Sequence, residues 1–196
     1  MIHREIYFDA VRETLFGGSL TQQQVDGQNV LISVWETQDS MSDARWFAYM
    51  LATTYHECDK KMWPIEEYGK GKGHPYGVKD SETGQTYYAR GFVGLTWREN
   101  YAKASKALGL VEDRQLEWHP ALALDSMIAS QVLFRGMDEG WFTGKRLSQY
   151  FNAERDDPVN ARQIVNGNDK DTLIASYHEA FLAAIIEATA DEDEEE

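Results

Sequence analysis

Cysteine is nearly absent: one residue, Cys58, in a chain of 196. No intramolecular disulfide can form, so the fold must rest on its core. No run of about 18 apolar residues exists, which excludes a membrane-spanning helix. Basic residues are outnumbered, 19 Lys and Arg against 33 Asp and Glu, for a formal net charge of −14. Phosphate contact needs Lys and Arg, so nonspecific nucleic-acid binding is excluded as a function class. The opening stretch, MIHREIYFDAVRETLF, scatters charges where a signal peptide needs an apolar segment. The expectation is a protein made in the cytoplasm without a signal peptide. Metal and phosphate motifs are missing too. His56-Glu57 has no second histidine at zinc-protease spacing, and YGKGKGHPYG lacks the closing Gly-Lys-Ser/Thr of a phosphate loop. No metal or organic cofactor is implied. Cys58, near a helix end rather than a helix N-terminus, reads as a small core thiol.

What is present suits a folded globular chain: 42% apolar residues and six tryptophans. The length fits one domain, residues 1–190, followed by a disordered acidic tail, Asp191 to Glu196, in which every residue is acidic. Helical spacing runs through most of that domain. Ile6, Tyr7, Ala10, Val11 and Leu15 predict a helix over 4–16, stopped by Gly17-Gly18. Thr21 with Gln24 is a capping-box pattern for a second helix, and Ser40 with Asp43 a looser one for a third, which runs through Trp46, Met50 and Thr54. Residues 64–85 are rich in glycine and proline and read as loop. Tyr87 to Leu95 predicts a short strand, and Trp97 to Leu108 a helix ended by Gly109. Further helices are predicted over 120–137, 145–151, 158–165 and 172–188, the last with Leu173, Tyr177, Phe181 and Ile185 as its buried stripe. The expected fold is mainly α, with one small β-like insertion.

Three positions carry chemistry. Glu57 follows Trp46, Met50 and Thr54 on one helix face. There, desolvation would favour a neutral acid able to donate a proton; the alternative is an ion pair to an arginine. Glu66 and Glu67 lie just past Pro64, where one can act as a general base on water or both can be plain surface charges. Thr96 can hold that water through its hydroxyl, or cap the helix that follows with Glu99 as the fourth member of a capping box. Two carboxylates across a sugar-sized cleft are the minimum for glycosidic hydrolysis.

Taken together, YHE at 55–57, M-x-P-I-x-E at 62–67, YYARGFVGLTWRENY at 87–101 and Val165-Asn166-Gly167 resemble glycoside hydrolase family 19. That family comprises chitinases and related phage and bacterial endolysins. The segments FDAVRETLFGGSLTQQQVDG and GWFTGKRL resemble its phage and prophage branch. The resemblance implies a lysozyme-like, mainly α fold with a small insertion beside the cleft, and an inverting mechanism. It implies Glu57 as general acid, Glu67 as general base and Thr96 as the residue that positions the water. It implies sugar contacts from Asn100 and Asn166, and matches Tyr88 and Arg90 to the tyrosine and arginine of the family's Tyr-Tyr-Gly-Arg-Gly segment. Glu66 stands at the variable place of its motif and is assigned to substrate binding. The chain departs from the family at Ala89 and Asn168, where the motifs carry glycine, and at Gly94, where many members carry glutamine. The arginine of the plant enzymes' last helix has no match, Leu173 being nearest.

Two polymers fit the resemblance, peptidoglycan glycan strands and chitin, and the phage-like segments favour the first. An enzyme of that kind, expected to be a monomer, acts at the cell wall after release through a pore made by a holin, or is carried in a virion. A noncatalytic glycan-binding or virion structural relative is the competing class.

Overall fold

A computed structural model of the chain describes residues 1–38 and 41–190. The expected cap at Ser40 and the tail at 191–196 lie outside these residues. Among those described, six α-helices form the body: α1 (Arg4–Leu15), α2 (Gln22–Glu36), α3 (Ala44–Glu57), α4 (Arg98–Leu108), α5 (Ser126–Glu139) and α6 (Asp171–Glu187). Two short strands, β1 (Ile65–Glu66) and β2 (Arg90–Gly91), pair antiparallel with Ile65 opposite Gly91 and Glu66 opposite Arg90.

α3 is the central element. Every residue from Phe47 to Tyr55 is buried, the mark of a helix packed on all sides rather than along one stripe. It is started by Asp43, whose carboxylate accepts from the Arg45 N–H at 3.0 Å. α6 packs against both α3 and α1. That double contact rotates its buried face from the expected one: Ile174, Ala175, His178, Phe181, Ala184 and Ile185 are buried, while Leu173 is 40% exposed. Burying Phe181 contributes roughly 2 kcal/mol.

The capping box at Thr21 and Gln24 opens α2 as expected, and Gly109, at φ 66°, closes α4. The helix expected over 120–137 is broken at Asp125. Its Oδ1 accepts from the N–H groups of Met127 and Ile128, both at 3.0 Å, and starts α5 afresh, while Pro120–Leu124 stay in a 3-10 turn. The helices expected over 145–151 and 158–165 also shorten to 3-10 turns, Leu147–Gln149 and Asn160–Ile164. The strand expected from Tyr87 to Leu95 pairs with β1 only at Arg90–Gly91, and Leu95 folds back to bridge Arg90, because Gly91 and Gly94 turn the chain at φ 94° and 67°.

Cys58 ties the end of α3 to β2. Its buried thiol lies 3.6 and 3.5 Å from the carbonyls of Gly91 and Phe92, and burial pushes its pKa up. This is the core thiol expected from the sequence.

His178 makes stability pH-dependent. Its ring is buried on α6, stacked on Phe151 at 5.1 Å and tilted against Tyr49. Burial, with the Arg45 charge second, lowers its pKa from 6.5 to about 4. Between those values the unfolded chain binds a proton that the folded chain refuses, so stability is full above 6.5 and falls as pH drops toward 4. The full loss is about 3 kcal/mol. Urea unfolding of the wild type and His178→Phe across this range should show a steep pH slope only in the wild type. Equal slopes would assign the effect elsewhere.

Candidate active site

The β1–β2 pairing and the end of α3 bring the acidic residues to one place. Glu57 closes α3, and Glu67 follows β1, its N–H donating to the Ala89 carbonyl at 2.9 Å. Both side chains line a cavity of about 330 Å³, together with Asp59, Glu66, Ala89 and Gly94. That volume lies in the range of small-molecule sites. The turn between them is strained: Asp59, Lys60 and Met62 hold φ of 50°, 62° and 51°. Such residues cost on the order of 1–3 kcal/mol each and persist only where their surroundings force them. α2 supplies that force. A Cβ on Gly27 would lie 1.7 Å from the Met62 carbonyl oxygen, and Gln24 donates to the Lys60 carbonyl at 3.0 Å.

Glu57 is not the desolvated acid at the end of an apolar stripe. It is 25% exposed and ion-paired to Arg162, whose side chain is 3% exposed. Arg162 Nη1 donates to Glu57 Oε1 at 2.7 Å, and its Nε donates to the Asp169 carbonyl at 3.0 Å. Among the described residues nothing donates to Oε2. The carboxylate is thus held by one oxygen with the other available to a ligand. Sequence reading missed Arg162 because its partner lies 105 positions away. The one local signal is an arginine between the buried Ala161 and Ile164, in the turn that precedes Val165-Asn166-Gly167.

Adjacent residues in extended backbone face opposite ways, and this separates Glu66 from Glu67. Glu66 is fully engaged: Lys70 Nζ lies 2.6 Å from Oε1 and the Tyr88 hydroxyl donates to Oε2 at 2.8 Å. The Lys70 ammonium, then the Tyr88 hydroxyl, hold its carboxyl below the usual range. Among the described residues no cation pairs with Glu67, and its Oε2 takes only a long 3.4 Å bond from the Ala89 N–H. Of the two, Glu67 is the carboxylate available to hold water.

The remaining residues fall into three groups. Tyr88 and Arg90 are buried, with Arg90 stacked 3.6 Å over the Tyr88 ring and donating to the Thr86 carbonyl and the Tyr101 hydroxyl. They brace the wall behind Glu66. Thr96 donates its hydroxyl to the Gly94 carbonyl at 2.8 Å and does not cap α4, whose N-cap is Trp97. Its oxygen keeps the capacity to accept from water. Asn100 spends its amide N–H on the Thr96 carbonyl, 2.8 Å away. Asn166 is exposed, its Oδ1 accepting from the Gly167 N–H, on the same segment as Arg162.

Residues 68–87 form a loop closed at its own base. Gly71 and Gly77 pack backbone to backbone, so that a Cβ on Gly77 would meet the Gly71 oxygen at 2.0 Å. The Tyr87 N–H donates to the Tyr76 carbonyl at 2.8 Å. Arg98 of α4 grips the loop through Glu82 and Asp80, at 2.7 and 3.5 Å. A second cavity, about 430 Å³, lies between the N-terminus and α2. Its acid, Glu36, is already paired to Arg4 at 2.7 Å. Among the described residues no cluster of three His, Cys, Asp or Glu side chains could hold a metal, and no helix is long and apolar enough to cross a membrane.

No protein-family model and no curated protein matches this sequence. Solved structures share its fold. Chitinase C from Streptomyces griseus is 17% identical over 94% of this chain and 76% of its own, with a TM-score of 0.57. A bacterial family 19 chitinase is 17% identical over 94% of each chain, at 0.55. A family 19, class IV chitinase from Zea mays is 16% identical over 92% of this chain and 93% of its own, at 0.56. The chain therefore has the mainly α, lysozyme-like fold of family 19 chitinases.

Proposed function

We propose that this chain is an inverting glycoside hydrolase of the family 19 type, cleaving β-1,4 bonds in the glycan strands of peptidoglycan. One observation carries the reading. Two carboxylates from different elements line the same cavity, one clamped by a buried arginine through a single oxygen and the other without a cation among the described residues. That asymmetry gives each a role. Glu57 in its protonated form points the Oε2 hydroxyl at the glycosidic oxygen and gives that proton to the leaving group, becoming a carboxylate paired with Arg162. Glu67 takes a proton from water, which attacks the anomeric carbon from the opposite face. Thr96 accepts a hydrogen from, and so orients, that water. Asn100 and Asn166 stand on the segments that flank the acids and contact the sugar. The phage-like segments favour peptidoglycan, and with it a role as an endolysin freed through a holin pore or carried in a virion. Chitin is the second substrate, because the solved structures with this fold are chitinases.

The test is digestion of purified peptidoglycan and of chitin oligomers, with product anomers followed by NMR. New reducing ends of inverted configuration from peptidoglycan are expected. Cleavage confined to chitin oligomers would reassign the substrate, and cleavage of neither would leave a glycan-binding or structural protein.

A further inference from the structure

The loop closed by Gly71 and Gly77 carries aromatic rings that the chemistry above does not use. His74 stacks on Tyr76 at 4.9 Å with planes 7° apart, and Tyr76 meets Trp97 edge to face at 5.2 Å. The three form a continuous row across two segments of chain. His74 is exposed, Tyr76 half-buried and Trp97 46% exposed. Among the described residues nothing accepts from the Trp97 indole N–H.

Trp97 is also in the wrong backbone conformation for a large residue. Its φ and ψ are 73° and 138°, a region that glycine favours and a side chain occupies at a cost. Its N–H donates to the Tyr87 carbonyl at 2.9 Å, which fixes the ring beside Tyr76. A buried tryptophan would offset that cost by filling a core. This one leaves nearly half its surface in water. Strain of this kind collects at ligand clamps.

The row continues from the cavity. The Tyr76 carbonyl accepts from the Tyr87 N–H at 2.8 Å, and Tyr87 stands two residues before Ala89 of the cavity lining. Trp97 directly follows Thr96, and the Gly94 carbonyl that Thr96 holds belongs to a residue of the cavity lining. A strand that left the cavity past Thr96 would meet these rings. Pyranose rings carry C–H groups on their faces that pack on aromatic faces, and N-acetyl groups offer carbonyls to an indole N–H.

We propose that His74, Tyr76 and Trp97 form an outlying glycan subsite that grips a β-1,4-linked N-acetylhexosamine strand beyond the cleavage point. The inference rests on the glycosidase reading and adds to it a grip that depends on strand length. The test uses Glu57→Gln as parent, so that bound strands stay intact, and titrates it calorimetrically with chitohexaose and chitotriose. Trp97→Gly removes the indole while easing the backbone, and His74→Ala removes a ring from an exposed loop, so neither threatens folding. Each is expected to weaken chitohexaose binding about three- to tenfold and to leave chitotriose unchanged. Unaltered chitohexaose affinity in both variants, or equal losses for the two sugars, would overturn the subsite and spare the glycosidase reading. A parent that binds neither sugar would overturn the subsite alone, and the peptidoglycan digestion above decides the glycosidase reading separately.

Discussion

Glu57→Gln is expected to lower the turnover of glycan by about three orders of magnitude, within the range for loss of a general acid. Binding and thermal stability should hardly change. The amide oxygen can still accept from Arg162 Nη1, which now bonds Oε1 at 2.7 Å, so the guanidinium keeps its partner and only the donated proton is lost. Glu57→Ala is the informative contrast. It strands a guanidinium that is 3% exposed, and breaking such a pair from one side costs on the order of 3 kcal/mol. A Gln variant that is inactive and stable, beside an Ala variant that is inactive and unstable, assigns the two roles of Glu57 separately. Wild-type turnover in the Gln variant would remove Glu57 from the chemistry.

The second large effect belongs to Arg162, a positioning residue. Arg162→Met should cut kcat about a hundredfold with a much smaller change in KM, because a displaced acid still leaves the sugar contacts in place. Stability should fall by on the order of 3 kcal/mol, since Glu57 and the Asp169 carbonyl lose a shared donor. Arg162→Lys should restore part of the rate, as an ammonium can meet Glu57 but cannot bridge to Asp169 with a planar fork. If Arg162→Met lowers stability without touching kcat, the arginine is a strut and not a clamp.

Local signals in the sequence survived where a single short segment decides the outcome. Thr21 and Gln24 cap α2, Gly109 stops α4, and Cys58 sits in the core, all as their neighbours in sequence dictate. The placement of Glu57 and Glu67 on one cavity was legible for the same reason, each lying within a short recognisable run, while their catalytic roles are the proposal made above. Features that depend on distant partners were not. The rotation of α6 comes from packing on two helices at once, which a one-stripe periodicity does not contain. The break at Asp125 was hidden because the apolar spacing from Pro120 to Met137 reads through a cap that only the backbone geometry reveals. The ranking of Glu66 behind Glu67 gains its physical reason from Lys70 and Tyr88, and Arg162 reaches Glu57 across more than half the chain.

The loop from 68 to 87 has a bearing on how such a protein can change. Its two ends are set side by side by the Glu67 N–H on the Ala89 carbonyl and by the β1–β2 pair, and its neck is sealed by Gly71 against Gly77. Both carboxylates lie outside the loop. Doubling the length of such a loop adds only about 0.6 kcal/mol of closure cost. On the proposed function, reach along the polymer and bond cleavage therefore belong to separate parts of the chain, the loop and the two carboxylates. Mutation or engineering can exchange the first for a longer, shorter or differently decorated arm while the second is inherited intact.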